Sequence, residues 1–277
     1  MTEQFTAADG TSLAYDMIGT GIPLLCLAGL TRNMRDFDPV TERFADHARI
    51  IRMDYRGRGL SDFADPATYS LAQEAQDALA LLDHLDIKRA AILGTSRGGL
   101  ISMLLAASAK ERLLGVMLND IGPVIEPAGI DFIMTYLGRP PGFADYDQAA
   151  RALELSMAGG FPGVSRAQWK ERAQLWWKEG PDGLELRYDP KLRDAVIAQS
   201  ATGETPDLWP LFDALDGLPL ALIRGENSDL LSPETVAEMR KRRPDMLFAE
   251  VADRGHVPFL DELESLRLIE DFLKGLS

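Results

Sequence analysis

One cysteine and three histidines stand among 277 residues, so several kinds of chemistry are closed to this chain at once. Cys26, in "PLLCLAG", has no second cysteine to pair with. An internal disulfide, and the small disulfide-stapled folds that depend on one, are therefore excluded. Its apolar neighbours mark it as a small buried hydrophobe in a strand rather than a nucleophile. His47, His84 and His256 are scattered, and no histidine–cysteine cluster has the spacing of a metal site. No glycine-rich phosphate loop is present either, so no metal and no nucleotide or other cofactor is expected. No run of 18 apolar residues offers a membrane-spanning helix. The opening "MTEQFTAADG" is neither basic nor apolar enough for a secretory signal, and a soluble cytoplasmic protein is expected. Positive charge is short as well: 29 Lys and Arg face 43 Asp and Glu, a net charge of −14. So acidic a surface repels phosphate backbones and anionic lipid, which argues against nucleic-acid and membrane partners and leaves a small-molecule substrate. Oligomeric state is not legible in the composition.

Apolar residues are plentiful, at 46% of the chain, and suffice for one large core. Short apolar runs alternate with helical patterns. Residues 23–29, 48–55, 89–94 and 113–120 predict strands; 37–47, 70–87 and 99–109 predict helices. The rhythm returns late, with strands over 219–225 and 246–251, a helix over 232–243, and a last helix presenting Leu263, Leu266, Ile269, Leu273 and Leu276. Ser70 and Ser232 are placed to cap the helices that follow them. Strands apolar on both faces, alternating with helices, predict an α/β fold: a mostly parallel sheet with helices on both faces. Between Gly122 and about Pro210 helical patterns continue with no convincing strand, broken at "LGRPPGF" and "GGFPG". The expected division is a core of residues 1–123 and 211–277, with a helical cap over 124–210. Trp169, Ala173 and Trp176 share a helical face there. Trp169, Trp176 and Trp177 are each expected to pack in the cap core rather than touch a ligand.

"AAILGTSRGGL", residues 90–100, carries the chemistry. A strand runs into Gly94-Thr95-Ser96-Arg97-Gly98 and a helix follows. Glycines on either side of Ser96 permit a tight strand-to-helix turn that pushes the serine oxygen out at the strand's C-terminal end. The helix start aims free amides and its positive dipole end at the same place. This is a nucleophile-elbow arrangement.

With "MDYRGRGLSD", "RGENSDLLSP" and "DRGHVPFLDE", the chain resembles the α/β-hydrolase family over nearly its whole length. The resemblance implies a nucleophile, an acid and a histidine in that chain order. Ser96 is then the nucleophile. His256, on a glycine-containing loop after the last strand, is the general base; His47 and His84 read as solvated surface. Asp229, after the strand 219–225, is where the family usually carries the acid. Asp120, after the strand that follows the elbow, is the alternative. The resemblance also places oxyanion-stabilising backbone amides at Leu30 and Arg97, though Ala28-Gly29 stands where relatives commonly have His-Gly. The Arg97 guanidinium is expected to pair with a protein carboxylate. Arg32, beside the oxyanion loop, reads as a solvated loop arginine, with recognition of a substrate carboxylate as the second reading. "DYRGRGLSD" is expected to be scaffold.

The function implied is a serine hydrolase that cleaves a small carboxylic ester, lactone or thioester through an acyl-enzyme. Hydrolysis of a carbon–carbon bond in a diketone-like acid uses the same machinery and is the alternative, and transfer of the acyl group to another acceptor remains open. A ligand-binding protein without turnover is a third reading. Serine at position 96, rather than aspartate, counts against epoxide and haloalkane hydrolysis.

Overall fold

In a computed structural model, which describes residues 1–200 and 206–276, the chain forms an eight-stranded sheet flanked by helices. Two antiparallel strands open it, β1 (Glu3–Thr6) and β2 (Ser12–Ile18). β1 is short and polar, and Asp16 interrupts the apolar run of β2, so neither stands out against the strongly apolar strands that follow. Then come β3 (Ile22–Leu27), α1 (Asp38–Phe44), β4 (Ala48–Met53), α2 (Leu71–His84), β5 (Ala90–Thr95), α3 (Arg97–Ser108) and β6 (Leu113–Asn119). The spatial order across the sheet is β1-β2-β4-β3-β5-β6, continued by β9 (Leu220–Gly225) and β10 (Leu247–Val251). From β4 onward every neighbouring pair is parallel. All six residues of β5 and of β9 are buried, as a strand covered by helices on both faces must be. Cys26 sits inside β3 with no exposure, and burial pushes its thiol far above the usual range.

The helices α9 (Pro233–Arg242) and α10 (Leu263–Gly275) flank the late strands. Ser70 and Ser232 accept hydrogen bonds from the Gln73 and Thr235 amides at the starts of α2 and α9. On α10 the buried face is Leu268, Ile269, Phe272 and Leu273, whereas Leu263 is 56% exposed. Leu263 is the first helical residue, one turn short of the sheet, so its place in the apolar pattern does not bury it. His84 is exposed as expected, but its ring stacks on Phe5 at 5.7 Å and lies 3.3 Å from the Tyr15 hydroxyl.

Between β6 and β9 lie α4 (Pro127–Tyr136), α5 (Tyr146–Ser156), α6 (Arg166–Trp176), the strands β7 (Trp177–Gly180) and β8 (Gly183–Leu186), then α7 (Leu192–Ser200) and α8 (Trp209–Asp213). Residues 201–205 of this stretch lie outside the described residues. The expectation of a strand-free stretch is corrected: β7 and β8 pair as an antiparallel hairpin around Pro181-Asp182. The stretch packs its own apolar cluster, with Trp169 and Ala173 of α6 against Ala149, Ala150 and Leu153 of α5. Phe259, from the loop before α10, joins that cluster and ties it to the sheet.

Candidate active site

The turn from β5 into α3 is built on absent side chains. A Cβ on Gly98 would lie 2.0 Å from the Leu27 carbonyl oxygen, and one on Gly94 would lie 2.5 Å from the Gly98 carbonyl carbon. Nothing larger lets strand, helix and β3 approach so closely. Ser96 is held at φ 50°, a left-handed conformation costly for a residue with a side chain, while its own amide donates to the Asn119 carbonyl at 3.0 Å. Gly98→Ala is expected to destabilise the protein by about 1–3 kcal/mol or more, since backbone rather than a flexible side chain must move. Urea unfolding of the variant beside wild type measures it.

Ser96, Asp120 and His256 meet at the C-terminal edge of the sheet. His256 Nε2 is 2.9 Å from Ser96 Oγ, and His256 Nδ1 is 2.7 Å from Asp120 Oδ2. Asp229, the expected acid, does not take part. It is exposed and lines a cavity in front of the histidine, with no hydrogen bond to His256 among the described residues. The two loops decide it, through the turned Asp120 backbone and the donors that the β9 loop gives to its carboxylate. Strand β6 lies directly beside β5, so Asp120 at its end stands next to Ser96, and β9 is one strand further out. The β9 loop serves Asp120 instead of replacing it: the Gly225 amide donates to Asp120 Oδ1 at 2.9 Å and the Ser228 hydroxyl to Oδ2 at 2.7 Å. Asp120 is wholly buried and adopts φ 53°, which turns its carboxylate toward these donors. Ser228, in "ENSDLLSP", escaped the sequence reading because nothing local tells whether such a loop supplies an acid or supports one.

Leu30 and Arg97 come to the same place from β3 and α3. Among the described residues neither backbone N–H donates to a protein group. Both residues are tied to one buried carboxylate. The Arg97 guanidinium donates to Glu74 Oε2 at 2.5 Å, the structural pairing expected of it. Arg58 lies 2.9 Å from Glu74 Oε1 and donates from Nε to the Leu30 carbonyl at 3.1 Å. Arg56 grips Asp77 bidentately, and Asp54 accepts the Met34 and Leu60 amides. "DYRGRGLSD" thus orders the loop after β3. Glu74→Gln leaves two buried guanidinium groups short of their counter-charge, and a loss of about 3–5 kcal/mol in chemical unfolding is expected.

The cavity has a volume of about 530 Å³ and lies between the strand ends and the stretch from α4 to β8. Phe132, Tyr136, Phe161, Trp176 and Trp177 make its walls largely apolar. Of the three tryptophans expected to pack together, Trp169 is buried, and Trp176 and Trp177 pack against the same cluster while also lining the cavity. They stand at the end of α6 and the start of β7, with the Tyr146 hydroxyl of α5 donating to the Trp177 carbonyl at 3.3 Å. Arg32 is corrected too. It is not a solvated loop residue: its guanidinium carbon lies 3.5 Å over the Trp176 ring, inside the cavity.

Residues 24–266 match the sequence model of the alpha/beta hydrolase family. The chain belongs to that family. It is 36% identical over 261 residues to a 3-hydroxybutyrate-oligomer hydrolase of Cupriavidus necator, covering 91% of this chain and 88% of the relative. A 2-(acetamidomethylene)succinate hydrolase of Mesorhizobium japonicum is 28% identical over 258 residues, 92% of this chain and 89% of the relative. The crystal structure of an alpha/beta hydrolase from Novosphingobium aromaticivorans superposes with a TM-score of 0.92 at 40% identity, covering 99% of this chain and 98% of the other. Hydrolysis is the activity these relatives share by name. In the described residues no helix is long and apolar enough to cross a membrane.

Proposed function

We propose that this α/β hydrolase is a serine hydrolase that cleaves a small carboxylic ester, lactone or thioester through an acyl-enzyme. The observation that carries the reading is the unbroken chain from Ser96 Oγ through His256 to Asp120, at 2.9 and 2.7 Å, opening on an apolar cavity. A hydroxyl is a weak nucleophile until a base removes its proton as it attacks. His256 takes that proton, Asp120 holds the ring with Nδ1–H directed at itself, and the imidazolium formed is stabilised by the carboxylate. The attacked carbonyl oxygen becomes an anion, which the free amides of Leu30 and Arg97 receive. His256 then protonates the leaving group and activates water to release the acid. The stretch 124–210 acts as a cap whose aromatic side chains keep bulk water from the acyl group. That a relative is named for hydrolysis of 3-hydroxybutyrate oligomers accords with this, since hydroxy-acid oligomers are esters.

A screen across ester chain lengths, lactones, thioesters and vinylogous diketones tests the reading, run beside a fluorophosphonate label. Turnover of an acyl ester together with label on Ser96 is expected. Turnover confined to the diketones would move the activity to carbon–carbon cleavage. Ligand-dependent stabilisation without turnover would make the protein a binder.

A further inference from the structure

Several arginines lie around the site, and Arg97, Arg58 and Arg172 are each held by a carboxylate, although Arg58 Nη2 and Arg172 Nε have no partner among the described residues. Arg97 and Arg58 share Glu74; Arg172, in a cleft of about 30 Å³ beside His256, is bound to Asp261 at 2.5 Å. Arg32 differs. Among the described residues none of its guanidinium N–H groups makes a hydrogen bond, and its nearest carboxylate, Asp36, stands 4.0 Å away. One face of the group is covered by Trp176 at 3.5 Å, which leaves the in-plane donors as its unused chemistry. Its stem runs beside the nucleophile: the Cβ position at Gly29 is 3.4 Å from Arg32 Cγ and 3.8 Å from Ser96 Cβ. Burial pushes the Arg32 pKa down, so its lost hydration is not made good by the neighbouring protein groups.

We propose that the cavity takes a substrate bearing one free carboxylate, and that Arg32 is the side chain that recognises it. This rests on the hydrolase reading above and names its substrate class. A guanidinium stacked on an indole presents two parallel donors at fixed spacing, the arrangement that grips a carboxylate bidentately. The other charged groups facing Arg32 or the cavity are Asp36, Asp229, Arg139, Arg172 and His256. Two of these are carboxylates; Arg172 keeps an unpartnered Nε but its fork is held by Asp261, and Arg139 is exposed at the rim, so among the described residues Arg32 is the arginine that offers a whole unbonded fork inside, and a monoanion fits better than a dianion. The carboxylate belongs either to the alcohol half of the ester or to its acyl half.

The test pairs each acid with its primary amide, which removes the charge and keeps the shape. Acetyl esters of hydroxycarboxylic acids probe the alcohol half, and monoalkyl esters of dicarboxylic acids probe the acyl half. For wild type, kcat/KM should favour the acid over the amide by about 10–100-fold in one of the two sets, mainly through KM. In Arg32→Met that ratio should fall at least about tenfold, with Arg32→Lys between the two. Calorimetric binding of the same pairs to Ser96→Ala, which needs no turnover, should show the same preference. Equal handling of acid and amide by wild type, or a preference that survives in Arg32→Met, overturns the carboxylate proposal and leaves the hydrolase standing. A binding preference without any Ser96-dependent cleavage overturns the hydrolase reading and leaves the anchor standing.

Discussion

Ser96→Ala is expected to lower kcat for ester cleavage by about 10⁵–10⁶-fold while the fold persists. The loss is large because, in the proposed mechanism, every covalent step passes through one oxygen. The Leu30 and Arg97 amides and the cavity remain in the variant, so a small acceleration over water survives, of the size that binding and oxyanion stabilisation supply alone. Alanine removes only the Oγ at the turn. The backbone hydrogen bond from the residue 96 amide to Asn119 and the glycine contacts at positions 94 and 98 are untouched. Single-turnover kinetics with an activated ester, read beside the thermal unfolding midpoint, separates chemistry from stability. Near-normal turnover in Ser96→Ala would remove the acyl-enzyme mechanism.

Asp120→Asn is expected to lower kcat by about 10⁴-fold, while Asp229→Asn changes it less than about fivefold. The contrast follows from where the two carboxylates sit. Asp120 is buried 2.7 Å from His256 Nδ1, accepting also from Gly225 and Ser228. An amide there keeps the shape but can present an N–H to the ring, which favours the tautomer that cannot take the serine proton. Asp229 is exposed at the cavity, where solvent screens its charge. Measured on the same ester, the reverse ranking would return the acid to the β9 loop and require that loop to move. Ser228→Ala should fall between the two, since it withdraws one of the donors to Asp120.

Much of this architecture could be read along the chain because its signals are local. Alternating apolar runs mark the parallel strands, since a strand covered on both faces has no room for polar side chains. Ser96 announces itself through glycines at 94 and 98; the need at 94 is set by Gly98 and Gly99 a few residues on, that at 98 by Leu27 on β3. His256 stands out by elimination as much as by place, in a chain with three histidines. The hairpin of β7 and β8 was hidden by its length and charge, although "GPDG" at its centre is a turn signal.

The sequence by itself pointed to the fold class, the tight turn at Ser96 and the histidine that meets it, because backbone geometry and hydrophobic periodicity act over short spans. Only the tertiary structure decided which aspartate reaches His256, which tryptophans also line the cavity, and that Arg32 turns into it. Those three depend on which strands are neighbours and which loops face one another. Asp120 and Asp229 each follow a buried strand toward the same edge, and the turned Asp120 backbone with its Gly225 and Ser228 donors sets one carboxylate on the histidine and leaves the other at the cavity.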